Sequence, residues 1–235
     1  MYGLPIPSIR SGHAMFELED WLKVYRQAVN ACFGGRVVFI GLQGSRARGE
    51  AREDSDIDVV LILDRVSIDD LALYRAAVSG LPNRGLLCGF VSGKEELGCW
   101  SEPDVFQLAM DTLPLQGSLE GILPNIDAET ARQAALMGAC NLYHACSHNI
   151  LHKRSVKTLT SLYKSAFFTL QADRCCETGR YFRSRDEMAR AVDGQDRQVL
   201  EAIIHPAAIH EGTLDKYAGL LLAWAGKLIL RHGRR

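Results

Sequence analysis

The sequence lacks an excess of charge of either sign. Its 27 Lys and Arg residues stand against 28 Asp and Glu, a formal net charge of −1, whereas a dedicated nucleic-acid binder normally carries a strong basic surplus. Nucleic acid is therefore not the expected partner, although a local basic patch is still allowed. Cys-x-x-Cys pairs are also missing. The seven cysteines (Cys32, Cys88, Cys99, Cys140, Cys146, Cys175 and Cys176) are odd in number and scattered, which fits reduced thiols in a cytosolic protein better than a disulfide framework. No hydrophobic run is long and clean enough to span a bilayer, and the stretch around Pro5 and Pro7 has no apolar signal core. A cytoplasmic location without a membrane partner is expected. The Gly-Lys-Ser/Thr of a Walker-type P-loop and the Gly-x-Gly-x-x-Gly dinucleotide fingerprint are both absent, so any phosphate handling must use a different motif. Neither internal repeats nor low-complexity tracts occur. What remains is a chain of 235 residues, 47% hydrophobic, long enough to bury one large core or two modest ones.

The most informative stretch runs from Gly44 to Leu63. Arg36–Leu42 reads as a buried strand delivering the chain into Gln43-Gly44-Ser45. Gly44 can take a positive φ and let the backbone approach a ligand, while the Ser45 hydroxyl and nearby amides can donate to phosphate oxygens. Arg46, Arg48 and Arg52 add positive charge. Downstream, Asp56-Ile57-Asp58 opens a second short apolar strand. Side chains two apart on a strand point the same way, so both carboxylates converge on one small volume. Two anions at the edge of an apolar core need a compensating cation. Mg²⁺, which takes oxygen ligands from one or two carboxylates together with substrate phosphates, suits that need.

Gly-Ser-Arg-Ala-Arg-Gly followed by Ser-Asp-Ile-Asp resembles the signature of the DNA polymerase β superfamily of nucleotidyltransferases, and especially its small bacterial members, the minimal and aminoglycoside nucleotidyltransferases. The resemblance is sharp over roughly residues 36–64. It implies a two-metal, in-line transfer of a nucleoside monophosphate from a nucleoside triphosphate, ATP being the expected donor. Gly44, Ser45, Arg46 and Arg48 would face the triphosphate, and Asp56 and Asp58 would hold Mg²⁺. The family also places a third carboxylate on a later strand. The next apolar strand, Gly85–Val91, carries no acid. Asp104–Asp111 reads as a further strand, which makes Asp111 the candidate third catalytic and metal-binding acid, against the alternative of an Asp opening a turn before Pro114. Glu95 and Glu96, on a turn into a short helix, are weaker candidates.

The organisation changes near residue 120. Before it lie a helix over Phe16–Cys32, strands over Val37–Leu42 and Ile57–Leu63, a helix over Ile68–Ser79 and two more strands, an α/β pattern. After the Gly- and Pro-punctuated linker 119–125, Asp127 caps a long helix to about His152, Ser155 starts another that ends at Gly179, and Thr213 starts a last one ending near Gly233. Shorter helices fill the interval from Arg185 to Ile209. The expected fold is thus α+β: a nucleotidyltransferase domain with a mixed sheet over 1–120, a helical bundle over 121–235 that binds substrate or acts as a lid, and an active site in the cleft between them, with a homodimer as one way to complete that cleft.

In the helical part, Lys157 and Lys164 return to nearly one face, and residues 153–190 hold nine Lys and Arg against four acids. Lys164 is the candidate cation for the triphosphate; the alternative is a solvated face. His144, His148 and His152 recur at helical spacing, but no acid ligand accompanies them and a zinc site is not expected. The Arg-x4-6-His pattern of the helical ribonuclease toxins is absent. Three functions remain open: Mg²⁺-dependent transfer of a nucleoside monophosphate, most simply AMP, to a small-molecule hydroxyl; an antitoxin-like regulator that modifies a protein or a tRNA end; and a noncatalytic nucleotide-binding protein. Acceptor and base preference are not legible from one sequence.

Overall fold

A computed structural model describes residues 17–234. The Pro5–Pro7 segment and the expected helix start at Phe16 lie outside the described residues. Helix α1 (Leu18–Phe33) buries Trp21, Leu22, Tyr25, Val29 and Phe33, a stripe of helical period. Strand β1 (Val37–Gln43) follows, then a single helical turn, α2 (Gly44–Ala47), and strand β2 (Ile57–Leu63). Helix α3 (Ile68–Ala77) is opened by a reciprocal capping box between Ser67 and Asp70. Strand β3 (Leu87–Gly93), short helix α4 (Lys94–Gly98), helix α5 (Glu102–Asp111) and strand β4 (Leu113–Gly117) complete this part of the chain.

The four strands form one mixed sheet in the order β3-β2-β1-β4. β1 is antiparallel to both β2 and β4, and β2 is parallel to β3. β2 is buried almost throughout, as its unbroken Val-Val-Leu-Ile-Leu run requires. The α1 stripe packs on Ile40, Leu42, Ile57, Val59, Leu61 and Leu63 to make the core of this unit. The sheet, mixed in direction, agrees with the sequence reading.

One segment does not. Asp104–Asp111 forms helix α5, and the fourth strand is Leu113–Gly117. Ser101 starts the helix, its hydroxyl donating to Asp104 at 2.6 Å, and Pro103 and the acids Glu102 and Asp104 suit a first turn. Val105, Phe106 and Leu108 are buried on it. Pro114 read as a turn, yet β4 is an edge strand, where proline's missing N–H costs no ladder bond.

The chain divides into two compact units. One comprises the residues up to Cys99 with Asp111–Leu123; the other comprises Trp100–Met110 with Pro124 onward. Most of α5 therefore belongs with the helices: Phe106 packs against Ala131, Ala135 and Ala172, and Arg183 donates to the Met110 carbonyl at 2.8 Å. That second unit contains α6 (Ala128–His148), α7 (Val156–Thr178), α8 (Arg185–Ala189), α9 (Gly194–Ile204) and α10 (Leu214–Gly233). Asp127 and Ser155 accept backbone N–H bonds as N-caps, and Gly179 ends α7 at φ +69°. The fully buried Asp173 accepts from Arg231 at 3.0 Å and lies 2.7 Å from His232 Nε2, which ties α10 to α7. Among the described residues, no helix is long and apolar enough to cross a membrane.

Candidate active site

The site forms where β1 ends beside the start of β2. Gln43 pairs with Asp58 in the antiparallel register, so the residue after Gln43 meets the Asp58 side chain. That residue is Gly44, at φ +73°, and a Cβ built there would lie 1.9 Å from Asp58 Oδ2. Only glycine accommodates both the left-handed backbone and the approaching carboxylate. Ser45 follows within α2, and its carbonyl accepts from the Glu50 N–H at 2.8 Å, which closes the turn.

Ile57 is fully buried, which sends Asp56 and Asp58 to the opposite face of the strand. Asp56 is exposed and Asp58 half-buried. The Asp58 carboxyl is pushed above the ordinary carboxylate range, first by burial and then by the Asp56 charge; Arg48, a hydrogen bond from the Cys88 thiol and Arg46 pull the other way.

Arg46 donates to the carbonyls of Ser55 (2.7 Å), Asp56 (3.2 Å) and Glu53 (3.4 Å), bracing the loop that presents the acid pair. Burial lowers its pKa, and the charges of Asp58 and Asp56 offset that. The Arg48 side chain is 7% exposed and bridges Asp111 Oδ2 at 2.8 Å and Glu50 Oε2 at 3.2 Å. Asp111 itself is 1% exposed. Expected at the end of a strand, it is the last residue of α5 instead, where its carboxylate grips Arg48. Among the described residues, no group of three His, Cys, Asp or Glu side chains is placed to hold a metal ion, so the expectation of a three-acid metal site including Asp111 has no such cluster behind it.

Residues 22–101 match the family model described as a nucleotidyltransferase domain. The chain carries a nucleotidyltransferase domain. The matched span contains the Gly44 turn and the Asp56/Asp58 pair and stops short of Asp111. Among solved structures, the chain is similar in fold to the spectinomycin adenyltransferase AAD(9) from Enterococcus faecialis, at 12% identity and a TM-score of 0.51, over 86% of this chain and 98% of that one. No curated protein sequence matches it.

In this nucleotidyltransferase domain, the strand register also locates what the sequence reading passed over. β3 runs parallel to β2 with Cys88 level with Asp58 and Gly93 level with Leu63. Glu95 and Glu96 therefore begin from the opposite end of β2, while Cys88 stands beside the acid pair. Its thiol is pushed up by burial, then by Asp58 and Asp56. Nothing local in Leu-Leu-Cys-Gly-Phe marks this position, because a parallel register is a long-range property. Lys164 is an exposed residue of α7 in the helical unit. In the histidine row, the ring of His148 lies 6.4 Å from that of His144 and 4.7 Å from that of His152.

Proposed function

We propose that the protein transfers a nucleoside monophosphate, AMP drawn from ATP, to a hydroxyl of a small molecule, with Mg²⁺ held by Asp56 and Asp58. One observation carries this reading: the Asp58 carboxylate lies directly over Gly44, so the acid pair and the Gly-Ser turn share one point in space. The residues fit a hard divalent cation, since both donors are carboxylate oxygens and Asp58 is destabilised as an anion by burial and by Asp56. Bound there, such a cation supplies charge neutralisation for the triphosphate.

The chain's own residues divide the remaining work. Gly44 lets a phosphate approach the backbone, and the Ser45 hydroxyl donates to it. Arg46 fixes the loop from Glu53 to Asp56. Arg48, steadied by Asp111 and Glu50, keeps a positive charge near Asp58. In the reaction, the acceptor oxygen forms a bond to the α-phosphorus, the bond from that phosphorus to the bridging β-phosphate oxygen breaks, pyrophosphate leaves with the electron pair, and the hydroxyl proton passes to water. The similar adenyltransferase was solved with ATP and spectinomycin, which supports ATP as donor and a small acceptor. The helical unit adds a cavity of about 430 Å³ among α5, α6 and α7, with Phe106, Met137 and Phe168 beside Gln107 and Asn141, a size and lining suited to such a molecule. Seven unpaired cysteines support a reducing, cytoplasmic setting.

The test is transfer of label from the α-phosphate of ATP to a panel of polyhydroxylated small molecules. Label should appear in at least one, with pyrophosphate released, and Asp56→Asn or Asp58→Asn should each remove it. Undiminished transfer in both variants would refute the assignment. A second reading, noncatalytic nucleotide binding, is favoured by the thiol at position 88, where the strand beside Asp58 offers no third acid. Nucleotide binding with no transfer to any acceptor would support that reading.

A further inference from the structure

The Gly44-Ser45 turn is held on both sides by the two residues that precede β4. The antiparallel register that pairs Leu42 with Leu113 brings Gln43 and Gly44 level with Thr112 and Asp111. Before the turn, Gln43 Nε2 donates to Thr112 Oγ1 at 2.7 Å. After it, Arg48 Nη1 donates to Asp111 Oδ2 at 2.8 Å. Arg48 belongs to the turn itself: its N–H donates to the Gly44 carbonyl at 3.2 Å, and its Nε donates to Glu50, whose own N–H closes on Ser45. Asp111 breaks a local rule to be there. A carboxylate on the last residue of a helix opposes the helix dipole, and a carboxylate only 1% exposed is costly unless paired. The contact that offsets this cost lies 63 residues away in sequence, on the turn. Thr112 is equally fitted to its place, since a Cβ added at Gly41 would lie 2.4 Å from its Cγ2. We propose that Asp111 and Thr112 are positioning residues, a two-point clip that holds the Gly44-Ser45 turn in the shape that receives a triphosphate, with Asp111 acting through Arg48 and not on a metal ion. The use of the turn for a triphosphate rests on the nucleotidyl-transfer reading above.

The experiment uses the full chain and the variants Thr112→Val, Asp111→Asn, Arg48→Met and Asp111→Asn/Arg48→Met. Valine keeps the branched shape of Thr112 and removes its hydroxyl. Removing one partner of a buried ion pair strands the other charge, whereas removing both is often close to neutral, so the double variant and Thr112→Val carry the test even where Asp111→Asn alone unfolds. Two quantities are measured: amide hydrogen exchange over residues 43–50 without ligand, with β2 as the internal reference, and calorimetric affinity for a nonhydrolysable ATP analogue with Mg²⁺. Exchange in the turn should accelerate in every variant while β2 keeps its wild-type rates, an outcome that a general loss of stability would not give. Affinity for the analogue should fall roughly tenfold in each, as is usual when a residue that orients a binding group is lost. The double variant should bind no more weakly than Arg48→Met, because the two side chains act as one contact. Wild-type exchange or wild-type affinity in both Thr112→Val and the double variant would overturn the inference, as would a further loss of affinity on adding Asp111→Asn to Arg48→Met. A wild type that does not bind the analogue would overturn the nucleotidyl-transfer reading instead, and the exchange rates, which need no ligand, would still judge the clip.

Discussion

At Gly44 an alanine meets two separate costs, a backbone at φ +73° and a Cβ 1.9 Å from Asp58 Oδ2. Backbone strain alone is about 1–2 kcal/mol. Gly34 tests a positive-φ backbone without the clash, since it sits at φ +53°, ψ −127° with nothing within 4 Å of an added Cβ. Gly34→Ala should therefore lower stability by roughly 1–3 kcal/mol and leave metal-dependent ATP binding intact, whereas Gly44→Ala should also abolish the binding by displacing Asp58. Calorimetric binding together with thermal unfolding checks both, and normal ATP affinity in Gly44→Ala would refute the close approach of turn and acid. At this scale the sequence was most legible. Gly44, Asp56 and Asp58 are fixed by local geometry, a turn and a two-residue strand period, and such geometry is written in adjacent residues. The Arg48 contact of Asp111 and the place of Cys88 level with Asp58 were not legible, because each joins residues far apart in sequence.

The start of α3 offers a prediction at the scale of an element. Arg36 donates to Asp70 at 2.6 and 3.1 Å and to Asp64 at 2.9 Å, binding the end of the turn before β1 to the cap of the helix after β2. Asp70 is held well below the ordinary carboxylate range, chiefly by Arg36 and then by the Ser67 side chain and backbone. A depressed folded pKa means that its stabilisation is fully present above the unfolded value, about 4, and is lost as the pH falls from there through the folded value. Asp70→Asn should lower the melting temperature at neutral pH, and the gap to wild type should narrow progressively in acid. A gap that does not change with pH would show that the ion pair is not its source. Elements also mark where sequence reasoning failed. The segment Asp-Val-Phe-Gln-Leu-Ala-Met-Asp suits either period in isolation, and only its packing of Phe106 on Ala131, Ala135 and Ala172 settles it as a helix. Once that segment is helical, the edge strand has to come from Leu113–Gly117.

Over the whole molecule, the helical unit was readable in outline from its caps, Asp127, Ser155 and Gly179, because capping is local chemistry. Its buried Asp173–His232 and Asp196–Trp224 contacts were not, since they join helices distant in sequence. The sheet unit was readable wherever the nucleotidyltransferase motif ran, and the central claim rests there: a cation and a triphosphate meet at Asp56, Asp58 and the Gly44-Ser45 turn. Isothermal titration of the four ribonucleoside triphosphates, with and without Mg²⁺, on the wild type, Ser45→Ala and the Asp56→Asn/Asp58→Asn double variant tests that claim most directly. The account predicts Mg²⁺-dependent binding of ATP, weakened in Ser45→Ala and lost in the double variant. Binding of ATP that is indifferent to Mg²⁺, or that survives loss of both carboxylates, would contradict it.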